Sequence, residues 1–176
     1  MDHAENNKDA MTAAYDDESE AAGWYAPEVA FGLTYAHVKP GQSILYIGIG
    51  TGLASALFHK AGLKVHGMDN SLEMLEACRS KGFNALQLHD LNKPPYPYDS
   101  ESIDHVVCTG VMNFFSDLSN VFEETARILR KGGMFIFVVG DRAEHHSHEI
   151  QVRAEQTKSE KTATMYLHTP DIGSGL

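Results

Sequence analysis

Three glycines in five positions follow directly after a short apolar run, and bare backbone of this kind lets a ligand approach closely: Gly48, Gly50 and Gly52. The run before them, residues 44–47, has the length and branching of a buried strand, and a segment of helical composition follows. Strand, glycine turn and helix together form the entry of a nucleotide-binding α/β unit. A dinucleotide fingerprint needs a small residue where this chain has Leu53. The spacing therefore favours a ligand that lies across the loop, without a pyrophosphate on the helix terminus.

Two carboxylates follow the next two predicted strands. Asp69 comes after strand 64–68, where a carboxylate can accept hydrogen bonds from both hydroxyls of a ribose. The alternative is a cap for the following helix, a role open equally to Asn70 and Ser71. Asp90 comes after the third strand, where it can accept a hydrogen bond from the exocyclic amine of adenine. Its alternative is an ordinary surface aspartate.

The elements that position these residues alternate regularly from Gly41 onward. We predict strands over 44–47, 64–68, 85–88, 104–108 and 134–139, and helices over 53–60, 71–80 and 121–130. We expect Asn120 and Glu123 to form a capping box at the last of these helices. Short connections between alternating strands and helices imply right-handed crossovers. The fold class is therefore α/β, a Rossmann-like, doubly wound, mostly parallel sheet with helices on both faces. Ligand contacts then come from the residues just after strands one to four.

A single domain with three parts fits the 176 residues. We expect residues 1–40 to form an N-terminal helical cap segment, 41–140 the ligand-binding α/β core, and 141–176 a C-terminal substrate-side segment. Residues 163–167 of this last segment are a candidate further strand. The helix start at His168-Thr169-Pro170-Asp171 barely begins, which favours a C-terminal part that is incomplete.

Charge and composition restrict the partners. The net charge is −10, and residues 1–28 carry eight acidic side chains against one lysine. A polyanion would be repelled, so we expect no nucleic-acid partner, and we interpret the acidic stretch as a solvated helix or a frayed end. The N-terminus lacks a secretion signal, and no apolar run is long enough to span a bilayer. The chain has two cysteines, which we interpret as small buried apolar residues and not as a disulfide pair. We expect a cytoplasmic protein without membrane contact, either a monomer or a homodimer.

Four ordered stretches over about residues 15–140 carry a family resemblance: ILYIGIGTG, GMDNSLEMLEAC, LHDLNKPPYPYDSESIDHVVCTGVMNFFSDL and FEETARILRKGGMFIFVV. Together they resemble the class I S-adenosylmethionine-dependent methyltransferases. The resemblance implies S-adenosyl-L-methionine as cofactor and methyl transfer to an acceptor, which the acidic charge suggests is a small molecule. The alternative is a non-catalytic S-adenosylmethionine-binding or partner protein with this fold. A nicotinamide-dependent oxidoreductase is disfavoured by Leu53.

The resemblance also implies which residues bind the cofactor. The glycines pack against its methionine and ribose parts, the two acids hold ribose and adenine, the residues after strand four line the wall near the sulfonium, and an N-terminal tyrosine closes over it. The predicted cofactor-binding set is Tyr46, Gly48, Gly50, Gly52, Asp69, Asn70, Asp90, Leu91, Thr109, Gly110, Tyr15 and Tyr25. Packing of a covering helix is the alternative for either N-terminal tyrosine.

One position departs from the family pattern. Relatives usually carry an acid two residues before the first glycine, where it helps to hold the cofactor's amino group, and this chain has Tyr46. The lost counter-charge is worth about 1 kcal/mol, or roughly fivefold in affinity.

Methyl transfer from a sulfonium requires alignment and exclusion of water rather than a catalytic dyad, so no catalytic residue is assigned. Asn113 is a candidate on the acceptor side, and Phe114 and Phe115 are interpreted as packing residues. The stretch His145-His146-Ser147-His148-Glu149 has helical metal-ligand spacing, but without a second cluster we predict no metal. His145 or His146 is a hypothetical general base.

Overall fold

The computed structural model describes residues 25–83 and 85–139, together with the backbone of 149–153 and 162–166. The helices are α1 (Ala26–Tyr35), α2 (Ala56–Lys60), α3 (Leu72–Ser80) and α4 (Ser119–Ile128), with a 3₁₀ turn over Met112–Phe114. The strands are β1 (Ser43–Ile47), β2 (Lys64–Asp69), β3 (Ala85–Leu88), β4 (Ile103–Cys108), β5 (Leu129–Phe137), β6 (Glu149–Arg153) and β7 (Thr162–Tyr166).

Five strands form one parallel sheet in the order β3-β2-β1-β4-β5, and β6 pairs antiparallel with β7 in a separate two-stranded sheet. The strand order reverses between β1 and β4, because the chain leaves β3 and returns beside β1. A crevice opens at such a reversal, outside the carboxyl ends of the strands. The predicted α/β fold class is confirmed.

Each face of the sheet has its own apolar core. On one face Ile44 and Tyr46 pack with Phe58, Leu75 and Cys78, side chains contributed by α2 and α3. On the other face Leu45 and Ile47 of β1 pack against α4 and the 91–98 loop. The alternation of apolar side chains along β1 explains both cores, since successive residues of a strand point to opposite faces.

Several element boundaries differ from those predicted. Helix α2 begins at Ala56, not at 53, because residues 51–55 form turns in which the Ser55 hydroxyl donates to the Gly52 carbonyl at 2.9 Å. The capping box predicted at Asn120 is wrong: α4 begins at Ser119, and Asp117 accepts from the Ser119 amide at 2.8 Å. That helix also ends earlier than predicted, at Ile128, and β5 follows at once.

The sequence left open whether Asp69, Asn70 or Ser71 caps α3. Ser71 is the N-cap, and its hydroxyl accepts from the Met74 amide at 3.3 Å. Asp69 is therefore not needed as the cap. Within the described ranges no helix is long and apolar enough to cross a membrane.

Candidate functional site

The glycine loop is anchored between β1 and β2. The Gly48 and Ile49 amides both donate to the Met68 carbonyl, at 2.8 and 3.1 Å, so the loop turns across the end of β2. Gly48 (φ +68°) has a close neighbour: a Cβ atom added there would lie 2.5 Å from Cγ1 of Val111. The turn after β4 therefore lies directly against the loop that follows β1.

Gly52 has a different reason to be glycine. Its φ is +85°, and an added Cβ would lie 2.9 Å from both Sγ of Cys78 and the ring of Phe83. These atoms belong to the core between the sheet and α3. Gly52 lines neither of the two cavities described below, so the predicted cofactor contact of this residue has no counterpart in the cavity walls.

Asp69 braces the glycine loop from the end of β2. One carboxylate oxygen accepts from the Gly50 amide and the other from the Ser71 amide, both at 2.9 Å. Each oxygen has two lone pairs, so each retains capacity for one further donor. The half-buried carboxylate lies on the wall of both cavities, where a pair of vicinal hydroxyls can reach it.

Asp90 is held by the turn that follows β3. One of its oxygens accepts from the Asn92 amide at 3.0 Å, and the other lies 3.3 Å from the Lys93 ammonium. The Asn92 amide, with a smaller effect of Lys93, lowers the pKa of the Asp90 carboxyl. The carboxylate is thus ionised at neutral pH and faces the crevice as a hydrogen-bond acceptor.

Two hydroxyls meet at the floor of the crevice. Tyr46 and Thr109 are 1% and 3% exposed, and their oxygens lie 2.5 Å apart. Burial is the main cause that raises the pKa of the Tyr46 hydroxyl, so this group stays neutral. The pair links the end of β1 to the residue after β4, and it puts a polar but uncharged surface where the family pattern has an acid.

A buried thiol lies at the end of β4, directly before the turn that follows this strand. The amides of Gly110, Val111 and Met112 lower the pKa of the Cys108 thiol, but burial outweighs them and raises it to about 12. The thiol is therefore neutral at pH 7, directly before the turn that carries Thr109, Val111 and Phe114. Cys78, the other cysteine of the chain, is also free and buried, on the opposite face of the sheet.

Two cavities open side by side at the carboxyl edge of the sheet. The larger, here the Asp90 cavity, has a volume of about 310 Å³ and is lined by both acids and by apolar side chains: Met68, Leu91, Val111, Phe114 and Phe115. The smaller, here the Tyr46 cavity, has a volume of about 250 Å³ and lies over the glycine loop. They share walls at Gly48, Asp69, Asn70, Val111 and Phe114. One extended ligand can therefore occupy both.

Most of the predicted cofactor-binding residues meet at these cavities. Lining one or both are Tyr46, Gly48, Gly50, Asp69, Asn70, Asp90, Leu91, Thr109 and Gly110. Tyr25 lies at the N-terminus of α1 with 70% of its surface exposed and lines neither cavity. Tyr15 lies outside the described residues, as do His145, His146 and His148, and only the backbone of Glu149 is described. Among the residues that the structure describes, no cluster of three potential metal ligands occurs.

The sequence interpretation missed part of the lining. Phe114 is 52% exposed and lines both cavities, so its assignment to packing is wrong. Val111 and Met68 were not predicted at all, although their positions beside the ends of β4 and β2 are a signal that topology alone provides. Phe115 combines both roles, since it packs against the core and lines the Asp90 cavity.

Comparison with known proteins gives the relatives of this chain. Residues 45–137 match the family model described as "Methyltransferase domain". Malonyl-[acyl-carrier protein] O-methyltransferase of Serratia marcescens is 29% identical over 74% of this chain and 52% of its own length. Phosphatidylethanolamine N-methyltransferase of Cereibacter sphaeroides is 33% identical over 60% of this chain and 54% of its own length. The chain thus spans about half the length of these curated relatives.

Solved structures agree on the fold. The methyltransferase chain in a complex with the Trm112 methyltransferase activator of Haloferax volcanii superposes with a TM-score of 0.59 at 29% identity, over 73% of this chain and 57% of that one. A methyltransferase of Methanosarcina mazei gives a TM-score of 0.67 at 17% identity, over 78% and 77%, a likeness of fold alone. The matched domain model covers the glycine loop, both acids and the turn after β4, and the chain belongs to the class I S-adenosylmethionine-dependent methyltransferase superfamily.

Proposed function

We propose that this chain binds S-adenosyl-L-methionine across the two cavities and transfers its methyl group to a small-molecule acceptor. The observation that carries the proposal is the position of the Asp69 carboxylate, which braces the glycine loop and lies on the wall of both cavities. The proposed adenosyl part occupies the Asp90 cavity, and the methionine part lies over the glycine loop in the Tyr46 cavity.

The residues present fit such a ligand. Asp69 retains acceptor capacity toward the cavities for the ribose hydroxyls. Asp90 offers an ionised acceptor for the adenine amine, and the apolar wall of Met68 and Leu91 suits a flat base. The combined space of about 310 and 250 Å³ is within the range of a small-molecule site.

When bound, the cofactor supplies a methyl group on a sulfonium, a leaving group that needs no further activation. The contribution of the protein is alignment and exclusion of water. Val111 and Phe114 stand between the two cavities, and as apolar side chains they favour a dry passage at the junction. Tyr46 and Thr109 hold the ends of β1 and β4 together, which keeps the floor of the site rigid.

The proposal of a small-molecule acceptor rests on the size of the cavities and on the negative charge of the chain. The names of the relatives refer to different acceptors: one to malonyl-[acyl-carrier protein] and another to phosphatidylethanolamine. Turnover to S-adenosylhomocysteine, measured with panels of metabolites, lipids and carrier-protein esters, tests the acceptor class. Turnover with a metabolite supports the proposal, and turnover with lipid or carrier-protein esters alone contradicts it.

A second candidate is a non-catalytic cofactor-binding protein, which the neutral Tyr46 in place of the usual acid favours. Calorimetric titration with S-adenosylmethionine and with NAD separates cofactor classes, and we expect saturable heat with the first alone. Binding without turnover on any acceptor panel would favour the second candidate.

A further inference from the structure

The lining of the Tyr46 cavity offers little negative charge to a bound cation. Under the proposed function it receives the methionine part of the cofactor, which carries a positively charged ammonium group. Among the described residues, the carboxylate on its wall is Asp69, and both oxygens of that group already accept backbone amides. The floor is the neutral Tyr46–Thr109 hydroxyl pair. A cation in a half-enclosed site is stabilised by a nearby negative charge.

Helix α1 covers this side of the sheet. Phe31 of α1 packs edge-on against Phe58 with ring centroids 5.1 Å apart, and Phe58 in turn packs against Tyr46 at 6.3 Å. Ala30 and Thr34 of the same helix are almost fully buried. The inward face of α1 is therefore fixed relative to the end of β1.

The direction of α1 is also determined. Its C-terminus leads down to Pro40 and Gly41, and the Gly41 amide donates to the Gly62 carbonyl at 2.8 Å, just before β2 begins. The C-terminal end of α1 thus lies toward the amino edge of the sheet. The N-terminal end, with Glu28 in its first turn, lies toward the carboxyl edge, where the cavities open.

Glu28 lies beside the inward face of α1, at the N-terminal end that is near the carboxyl edge of the sheet. It precedes Phe31 by three residues, so the two side chains are neighbours one helical turn apart. Burial is the main cause of the raised pKa of the Tyr46 hydroxyl, and the negative charge of Glu28 is a further one. Among these causes the charge of Glu28 is the smallest, and it acts on the hydroxyl that forms the floor of the Tyr46 cavity. The side chain itself is exposed and lines neither cavity, so it is free to turn toward a ligand.

We propose that Glu28 is a cofactor-binding residue, which supplies from the covering helix the carboxylate that pairs with the ammonium group of the cofactor's methionine part. The inference rests on the proposed function, because it concerns the same site. It assigns to α1 a contact that the end of β1 cannot make here, since position 46 is a tyrosine.

The test compares the binding of two ligands to the full chain and to its variants. The ligands are S-adenosylhomocysteine and its analogue without the amino group, and the first variant is Glu28→Gln. We expect Glu28→Gln to weaken binding of S-adenosylhomocysteine about fivefold, as for an exposed ion pair, and to leave the affinity for the desamino analogue unchanged. Glu28→Lys, which reverses the charge, should weaken binding of S-adenosylhomocysteine further and still leave the affinity for the desamino analogue unchanged. High salt should reduce both differences.

Glu123→Gln is the matched control, because Glu123 is an exposed acid on α4, on the opposite face of the sheet. It should bind both ligands as the unchanged chain does. Equal affinity of Glu28→Gln and the unchanged chain for S-adenosylhomocysteine would overturn the inference and leave the proposed function intact. So would an equal loss for both ligands, since that indicates an indirect effect through α1. Failure of the unchanged chain to bind S-adenosylhomocysteine would overturn the proposed function and this inference with it.

Discussion

The contact between Gly48 and Val111 gives a prediction whose size follows from the structure. In Gly48→Ala the new methyl group meets Cγ1 of Val111 at 2.5 Å, a distance that forces the Val111 side chain, or the turn that carries it, to shift. The backbone at φ +68° adds the cost of an alanine in the left-handed region, about 1–2 kcal/mol. Overpacking adds about 1–3 kcal/mol. We expect Gly48→Ala to lower the free energy of unfolding by about 3 kcal/mol.

Gly50→Ala separates the two costs. The φ of Gly50 is +55°, also left-handed, but an added Cβ has nothing within 4 Å. This control should lose about 1–2 kcal/mol, from the backbone alone. Urea unfolding followed by far-ultraviolet circular dichroism measures both variants, and the slopes should stay equal.

A double-mutant cycle with Val111→Ala checks the cause. If the methyl group clashes with Val111, Gly48→Ala should cost at least about 1 kcal/mol less in the Val111→Ala background, while the cost of Gly50→Ala should not change. Equal losses for Gly48→Ala and Gly50→Ala in the unchanged chain would refute the reasoning, because the turn after β4 would then not lie against the glycine loop.

Three further predictions concern the framework of the site. Asp104→Asn should lower stability at pH 7 by about 1–2 kcal/mol; partial burial raises the pKa of Asp104, but hydrogen bonds from Ser43 and Arg130 outweigh it and bring the pKa to about 2. The stabilisation is complete above about pH 4, the ordinary range of the group, and disappears as the pH falls toward 2, so pH-dependent urea titrations should show the difference shrink there. Gly52→Ala should lower the free energy of unfolding by about 3 kcal/mol, because its methyl group would clash with Cys78 and Phe83 and its backbone has a φ of +85°. An unchanged midpoint of thermal or urea unfolding would contradict that packing. Tyr46→Phe should cost about 1 kcal/mol, since it leaves the buried Thr109 hydroxyl without this partner, and a neutral result would mean that the pair does not form.

The fold followed from the sequence because its signals are local and regular. Apolar runs of strand length alternate with helical segments, and the crossover rule then determines the hand and the parallel sheet. The boundaries were harder. Nothing in the composition near Ala56 distinguishes a turn from the first turn of a helix. At α4 the Asp117 side chain accepts a hydrogen bond from the first turn of the helix, a role that the sequence pattern assigned to Asn120.

The site was predictable where it depends on strand ends and not where it depends on side-chain direction. Asp69 and Asp90 line the cavities because a carboxyl end of a parallel strand always points there. Gly52 was predicted to contact the cofactor but faces the core, and Phe114 was predicted to pack but lines the cavities. Spacing along the sequence does not show which way either residue faces. Glu28 carried no sequence signal, because its proposed role comes from the direction of α1, whose Phe31 packs against Phe58.

The proposed function depends on a cofactor that lies across the glycine loop with its ribose on Asp69. The most direct test is calorimetric titration of S-adenosylhomocysteine, and of an analogue without the two ribose hydroxyls, into the unchanged chain and a folded Asp69→Asn variant. We expect one binding site, an affinity lowered about tenfold or more when either the hydroxyls or the carboxylate is removed, and little further loss of affinity when both are removed. Losses that simply add, or no binding to the unchanged chain, would contradict this placement of the cofactor.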